Sequence, residues 1–240
     1  MSHPTHDRRD FLRAAGLGGA ALALAACGAD RALSPQSAAS NATGAAGTAG
    51  AAGGGASTTG SVGTAATVTL DFSTDVGVLN YAYALEQLEA AFYAQVIATP
   101  YSGITQQERS ILTDLSQHEA IHREFLKKAL GAAAIPNLTP NFSSINFASR
   151  ASVLGTAAAL EDTGVHAYNG AGRYIKSPAY LTIAGKIVSV EARHASAIHD
   201  LLAPRGNTFA PDIFDAGFTP QQVLAAAGAF VRDTINVINA

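Results

Sequence analysis

The chain has 240 residues, 48% of them hydrophobic, with a formal net charge of −3, one cysteine and no tryptophan. That is enough apolar material for one sizeable core, and the weakly acidic balance offers no basic patch for nucleic acid. The lone cysteine, Cys27, excludes a disulfide within the chain and any thiolate metal cluster.

Residues 1–27 read as an export signal. Arg8-Arg9-Asp10-Phe11-Leu12 is a twin-arginine pattern, and the Ala- and Gly-rich run from Ala14 to Ala26 is too short to span a bilayer. It closes on Leu24-Ala25-Ala26-Cys27, which resembles a bacterial lipobox, so Cys27 is expected to carry a lipid. Residues 28–66 are Ala, Gly, Ser and Thr with almost no large side chains, a composition that cannot offset its ordering entropy and reads as a flexible tether. The folded unit is then 67–240, exported to the periplasm or cell envelope and held at the membrane through the lipid alone.

Within that unit, Val68, Leu70 and Phe72 alternate and suggest a short extended segment lying on the rest. A first helix is expected over 75–97. A second opens at Thr105-Gln106-Gln107-Glu108, a capping box, and stops near Gly131. A third is expected over 149–175. The fourth opens at Ser177-Pro178, a cap residue followed by proline, and ends before Pro204. A fifth starts at Thr219-Pro220-Gln221-Gln222 and is expected to run to about Ile238. The turns between helices one and two, and three and four, are short, which makes each pair an antiparallel hairpin. Between helices two and three lies "AAAIPNLTPNFSSINFA", long enough to return along a whole helix. The fold class is therefore all-α: a four-helix bundle with a long crossover and an additional C-terminal helix.

The chain contains seven glutamates, and four of them occupy positions where a soluble bundle places leucine. Residues seven apart share nearly the same helix face. Glu86 has Leu79 and Tyr93 as such neighbours, Glu119 has Leu112 and Leu126, Glu161 has Leu154 and Tyr168, and Glu191 has Ala184 and Ile198. A lone ionised carboxylate in apolar surroundings is very costly unless it is paired, protonated or bound to metal. Two of the four also carry histidine three residues on, as Glu119…His122 and Glu191…His194, and an i,i+3 pair faces one side of a helix. The two halves echo one another: each supplies one single glutamate, one tyrosine seven residues after it and one Glu/His pair. Single glutamates from two helices plus E-x-x-H from two others form the ligand set of carboxylate-bridged di-iron and di-manganese bundles, and bridging carboxylates with terminal imidazoles suit Fe or Mn.

A competing pattern overlaps the first pair. His118-Glu119-Ala120-Ile121-His122 matches the zinc-protease motif H-E-x-x-H. Its metzincin extension would need glycine and histidine where Phe125 and Lys128 stand, and the zinc reading leaves Glu86, Glu191 and His194 unexplained. The apolar arc of this helix is centred between Glu119 and His122, with His118 toward its edge. Glu89 has Gly164 at the matching place in the other half and is not counted as a ligand. His166 and His199 read as ordinary core or surface histidines.

With "LNYAYALEQLEAAFY" and the six-residue signature, residues 68–240 resemble the ferritin-like superfamily, in particular its exported branch of desiccation-related proteins. The resemblance implies metal ligands at Glu86, Glu119, His122, Glu161, Glu191 and His194, with Glu119 and Glu191 bridging. It implies that Tyr93 and Tyr168 are hydrogen-bond donors to ligand carboxylates, and that nothing beyond the metal ligands is catalytic. Many active members have an acidic residue before each E-x-x-H glutamate. This chain has His118 and Val190 there, so no partner for His122 or His194 is evident. The implied function is a dinuclear Fe or Mn centre reacting with O₂ or a peroxide in stress protection. The alternatives are metal binding without turnover and a structural desiccation protein.

Overall fold

The computed structural model describes residues 65–240. The expected signal segment 1–27, Cys27 and nearly all of the tether 28–66 lie outside the described residues. The elements run in the order β1 (Thr67–Asp71), α1 (Asp75–Ala98), α2 (Gln106–Leu130), α3 (Arg150–Ala171), α4 (Pro178–Leu202), α5 (Pro220–Ala227) and β2 (Thr234–Ile238). Short 3₁₀ turns extend α2, α3 and α5 at their C-terminal ends. The local chemistry of each start is explicit. Thr74, Thr105, Ser149, Ser177 and Thr219 each accept a backbone N–H in the first turn of the helix that follows. Capping boxes close at Thr105–Glu108 and Thr219–Gln222.

Helix α1 packs chiefly on α2 and α3 on α4, which gives the two hairpins of an all-α four-helix bundle. The crossover 131–149 runs back along α1, and two buried amides of α1 hold it there. Asn80 donates to Ala133 O and accepts from Ile135 N, each at 2.8 Å. Gln87 Oε1 accepts Leu138 N at 2.8 Å. Backbone groups of a loop need partners wherever it lies against the bundle, and these two side chains supply them. At the opposite hairpin, Asp75 accepts Lys176 N and Ser177 N, which fixes the start of α1 against the turn between α3 and α4.

The C-terminal helix is shorter than the sequence suggests. Helix α5 ends at Ala227, and the segment expected to continue it to Ile238 is instead strand β2, parallel to β1 with Thr67 opposite Thr234 and Asp71 opposite Ile238. The reason is that Thr234, Ile235, Val237 and Ile238 are β-branched, and β1 offers them a row of unpaired backbone groups. Asp233 ties three segments together, accepting Ala66 N at 2.8 Å and Thr139 N at 2.6 Å. The ribbon seals one side of the bundle: Val68, Leu70 and Phe72 are buried in the main core. Gly77 and Gly170 mark where backbones touch. A Cβ at Gly77 would sit 1.9 Å from Asp71 O, and one at Gly170 would sit 1.8 Å from Phe218 O. Among the described residues no helix is long and apolar enough to cross a membrane.

Candidate metal centre

Each long helix contributes one fully buried carboxylate at mid-length. Glu86 (α1), Glu119 (α2), Glu161 (α3) and Glu191 (α4) are all 0% exposed, among core residues such as Leu112, Leu154 and Ile198. His122 and His194 point to the same centre from α2 and α4. The donor atoms form two groups, each within 4.8 Å: Glu86, Glu119, His122 and Glu191 in one, Glu119, Glu161, Glu191 and His194 in the other. Glu119 and Glu191 belong to both.

The geometry is that of atoms converging on a shared point. His122 Nδ1 lies 2.8 Å from Glu191 Oε1 across the bundle, and His194 Nδ1 lies 2.7 Å from Glu119 Oε1. These pairs are close, yet all four atoms lack a partner with hydrogen-bond geometry. Among the described residues, the buried side-chain atoms left without such a partner are Glu86 Oε2, both oxygens of Glu119, His122 Nδ1, Glu161 Oε2, both oxygens of Glu191 and His194 Nδ1, together with the hydroxyls of Tyr81 and Tyr101. Buried polar atoms are nearly always satisfied, so this concentration of orphans in six side chains calls for a cation. The unequal distribution is informative. Glu119 and Glu191 leave both oxygens free, as a bridging carboxylate must, while Glu86 and Glu161 each leave one.

The other oxygen of those two is taken by a tyrosine from the opposite hairpin. Tyr93 donates to Glu161 Oε1 and Tyr168 to Glu86 Oε1, each at 2.5 Å. The exchange is reciprocal between α1 and α3, so each of these helices supplies a carboxylate and the hydroxyl that orients its partner's. His118 adds a contact that the sequence did not disclose. Its Nδ1 lies 2.9 Å from His194 Nε2, with the rings nearly parallel and 5.1 Å apart. The only sequence signal was its place directly before Glu119; Val190, at the corresponding place, has no hydrogen-bonding side chain.

Burial and mutual charge set the protonation of the cluster in the bare protein. Burial, with repulsion from Glu191 and Glu119, holds Glu86 well above the usual carboxylate range. Glu161 is pushed up to about 8 by burial, and repulsion from Glu119 and Glu191 adds to it against the attraction of His194. Burial alone would raise Glu119, but His122 and His194 outweigh it and bring it down to about 2. Burial disfavours the charged imidazoles, yet the surrounding carboxylates raise His122 and His194 to about 12. Glu89 joins this set as a fifth buried carboxylate, 2% exposed and raised well above its ordinary value by burial and by repulsion from the others. It lies outside both donor groups. Gly164 makes room for it, since a Cβ there would come within 3.0 Å of Glu89 Oε1.

His166 and His199 lie away from the cluster. The His166 ring meets Phe218 at 4.3 Å, and His199 Nε2 is 3.0 Å from both carboxylate oxygens of Asp162.

Four helices, one long crossover and an inward-facing carboxylate on every helix define a carboxylate-bundle architecture. Residues 74–204, more than half of the chain, match the family model for the ferritin-like domain, and the protein belongs to that family. No curated protein matches the chain.

Proposed function

We propose that the protein binds two Fe or Mn ions at Glu86, Glu119, His122, Glu161, Glu191 and His194, and uses them in oxidoreductase chemistry with O₂ or a peroxide. The observation that carries this reading is the set of eight buried donor atoms without hydrogen-bond partners, all on those six residues. The donor set fits the group chemically: each imidazole could hold one ion, Glu119 and Glu191 could serve both, and four carboxylates would balance two divalent cations.

Bound Fe or Mn would supply the electron transfer that side chains lack. The chain supplies the rest. Tyr93 and Tyr168 hold Glu161 and Glu86 by one oxygen, so that the other faces inward. With His194 Nδ1 turned to the cluster, its Nε2 carries the proton and donates to His118, which fixes the tautomer and the ring plane. Leu112, Leu154 and Ile198, all 0% exposed, exclude bulk water around the carboxylates. His122 is the more accessible of the two imidazoles, with its side chain 13% exposed against 4% for His194. A small oxidant therefore meets the centre first on the His122 side.

The proposed setting is the periplasm or cell envelope, reached by twin-arginine export of the folded chain and held by a lipid on Cys27. A role in stress protection, as in desiccation-related relatives, is consistent with such a centre. The test is to count metals in the purified full chain by mass spectrometry, then mix the Fe(II)-loaded protein with O₂ and with H₂O₂. Two ions per chain and a fast oxidation band support the proposal. Two ions without turnover leave a metal-binding protein, and no bound metal leaves a structural stress protein.

A further inference from the structure

Among the described residues, three buried carboxylates stand outside the two donor groups: Glu89, Glu108 and Asp233. Two of them have local partners. Glu108 meets the Arg150 guanidinium at 2.6 Å and closes the capping box at Thr105. Asp233 accepts the backbone N–H groups of Ala66 and Thr139. Glu89, only 2% exposed, has neither a cation nor a hydrogen-bond donor among the described residues. A carboxyl group so placed is costly, and the fold must gain something from it.

Its place in the bundle points to the gain. Helices α1 and α3 are joined by two bonds, Tyr168 to Glu86 and Tyr93 to Glu161. On α1, Glu89 lies between Glu86 and Tyr93; on α3, Gly164 lies between Glu161 and Tyr168. The two meet between those bonds, where a Cβ on Gly164 would stand 3.0 Å from Glu89 Oε1. Glu89 therefore sits near the local twofold of the centre, and all four ligand carboxylates repel it. A count of charge sets it apart from them. Four ligand carboxylates balance two divalent ions, and neutral imidazoles add nothing negative. Oxidising both ions to the trivalent state adds two positive charges that the six ligands leave unbalanced. Glu89 is a further carboxylate within electrostatic reach of both ions.

We propose that Glu89 is a charge-compensating residue, which lowers the reduction potential of the bound pair by favouring its trivalent state. It acts through space, as a group outside both donor sets. Beside divalent ions its carboxyl group stays neutral. Its negative charge is called for as the ions are oxidised, when their attraction outweighs the cost of burial. The other half of the centre has glycine at the matching place, so this one carboxylate serves both ions. The proposal rests on the reading of the six ligands as a metal centre.

The experiment loads the full chain with Fe(II), counts the ions by mass spectrometry and measures the midpoint potential by mediated spectroelectrochemistry. Wild type, Glu89→Gln and Glu89→Asp are each expected to hold two ions. At a fixed solution potential, Glu89→Gln lowers the ratio of oxidised to reduced centre about tenfold, a rise of about 59 mV in a one-electron midpoint. Glu89→Asp keeps the charge and stays within about threefold of wild type. Should Glu89→Gln fail to fold, Glu89→Met, neutral and of similar volume, takes its place. Two bound ions with an unchanged midpoint in the neutral variant overturn the proposal and leave the metal centre standing. So does an equal shift in Glu89→Asp, which would assign the effect to shape. Loss of one ion from Glu89→Gln also overturns it, by making Glu89 a ligand. A wild-type chain that binds no metal overturns the metal reading first, and the proposal with it.

Discussion

His118 Nδ1 stands 2.9 Å from His194 Nε2, a contact between α2 and α4 that the other half of the centre does not repeat. The twofold pattern of carboxylates and imidazoles is thus broken one layer out, because Val190 occupies the corresponding place. As ligands the two imidazoles would be unequal: His194 is held by His118, and His122 has no such partner among the described residues.

This inequality sets the first expectation. His118→Ala weakens one of two bound ions by about 10–100-fold, the usual effect of removing a partner from a ligating histidine. The other ion is little affected. Competition titration with a chelator separates the two sites, and His118→Asn, which restores an acceptor, recovers part of the loss. Equal weakening of both ions would contradict the assignment.

A second expectation follows from the shared membership of Glu119 and Glu191 in both donor groups. Glu119→Ala or Glu191→Ala removes both ions, whereas Glu86→Ala or Glu161→Ala leaves one. Metal counting by mass spectrometry after dialysis reads the difference. One ion retained by Glu119→Ala would remove its bridging role.

The third concerns pH and the metal-free chain. Glu161 is raised to about 8 in the folded state, and Glu86 and Glu89 are raised as well, while His122 and His194 are raised to about 12. Each group therefore holds its proton in the folded state at pH values where the unfolded chain has released it. Above the unfolded carboxylate value of about 4.5, the folded state binds more protons, so stability falls as pH rises, by about 1.4 kcal/mol per pH unit for each such proton. Glu119, depressed to about 2, contributes with the opposite sign, but only below about 4.5. The melting temperature of metal-free protein should drop from pH 5 to pH 8. Metal displaces the protons of its ligands but not that of Glu89, so the loaded protein should show a smaller drop over that range. Parallel thermal scans at the two pH values check both statements.

The fourth concerns the seal around the bundle. Asp233→Ala deletes the acceptor for Ala66 N and Thr139 N, loosening β1, β2 and the crossover together. The expected cost is about 2–4 kcal/mol, the sum of two bonds to a charged group that is largely buried. Urea unfolding of the variant measures it. A loss below about 0.5 kcal/mol would mean that Asn80, Gln87 and the backbone bonds Arg232 N to Thr139 O and Asn141 N to Phe230 O hold the crossover without Asp233.

Local sequence determined the helices and most of their ends. A cap residue, a proline at the first turn or a terminal glycine acts within four residues, so Thr105, Ser177-Pro178 and Gly131 could be read without knowing the fold. The four inward carboxylates were legible for a similar reason: helical periodicity alone places Glu86, Glu119, Glu161 and Glu191 on apolar faces. What periodicity cannot state is which faces meet. The cross-pairing of Tyr93 with Glu161 and Tyr168 with Glu86, the contact of His118 with His194 and the burial of Glu89 behind Gly164 all depend on distances between helices. The end of the chain shows the limit most plainly. Residues 234–238 have a partner only because β1, far away in sequence, lies open beside them, so a segment expected to continue a helix becomes a strand.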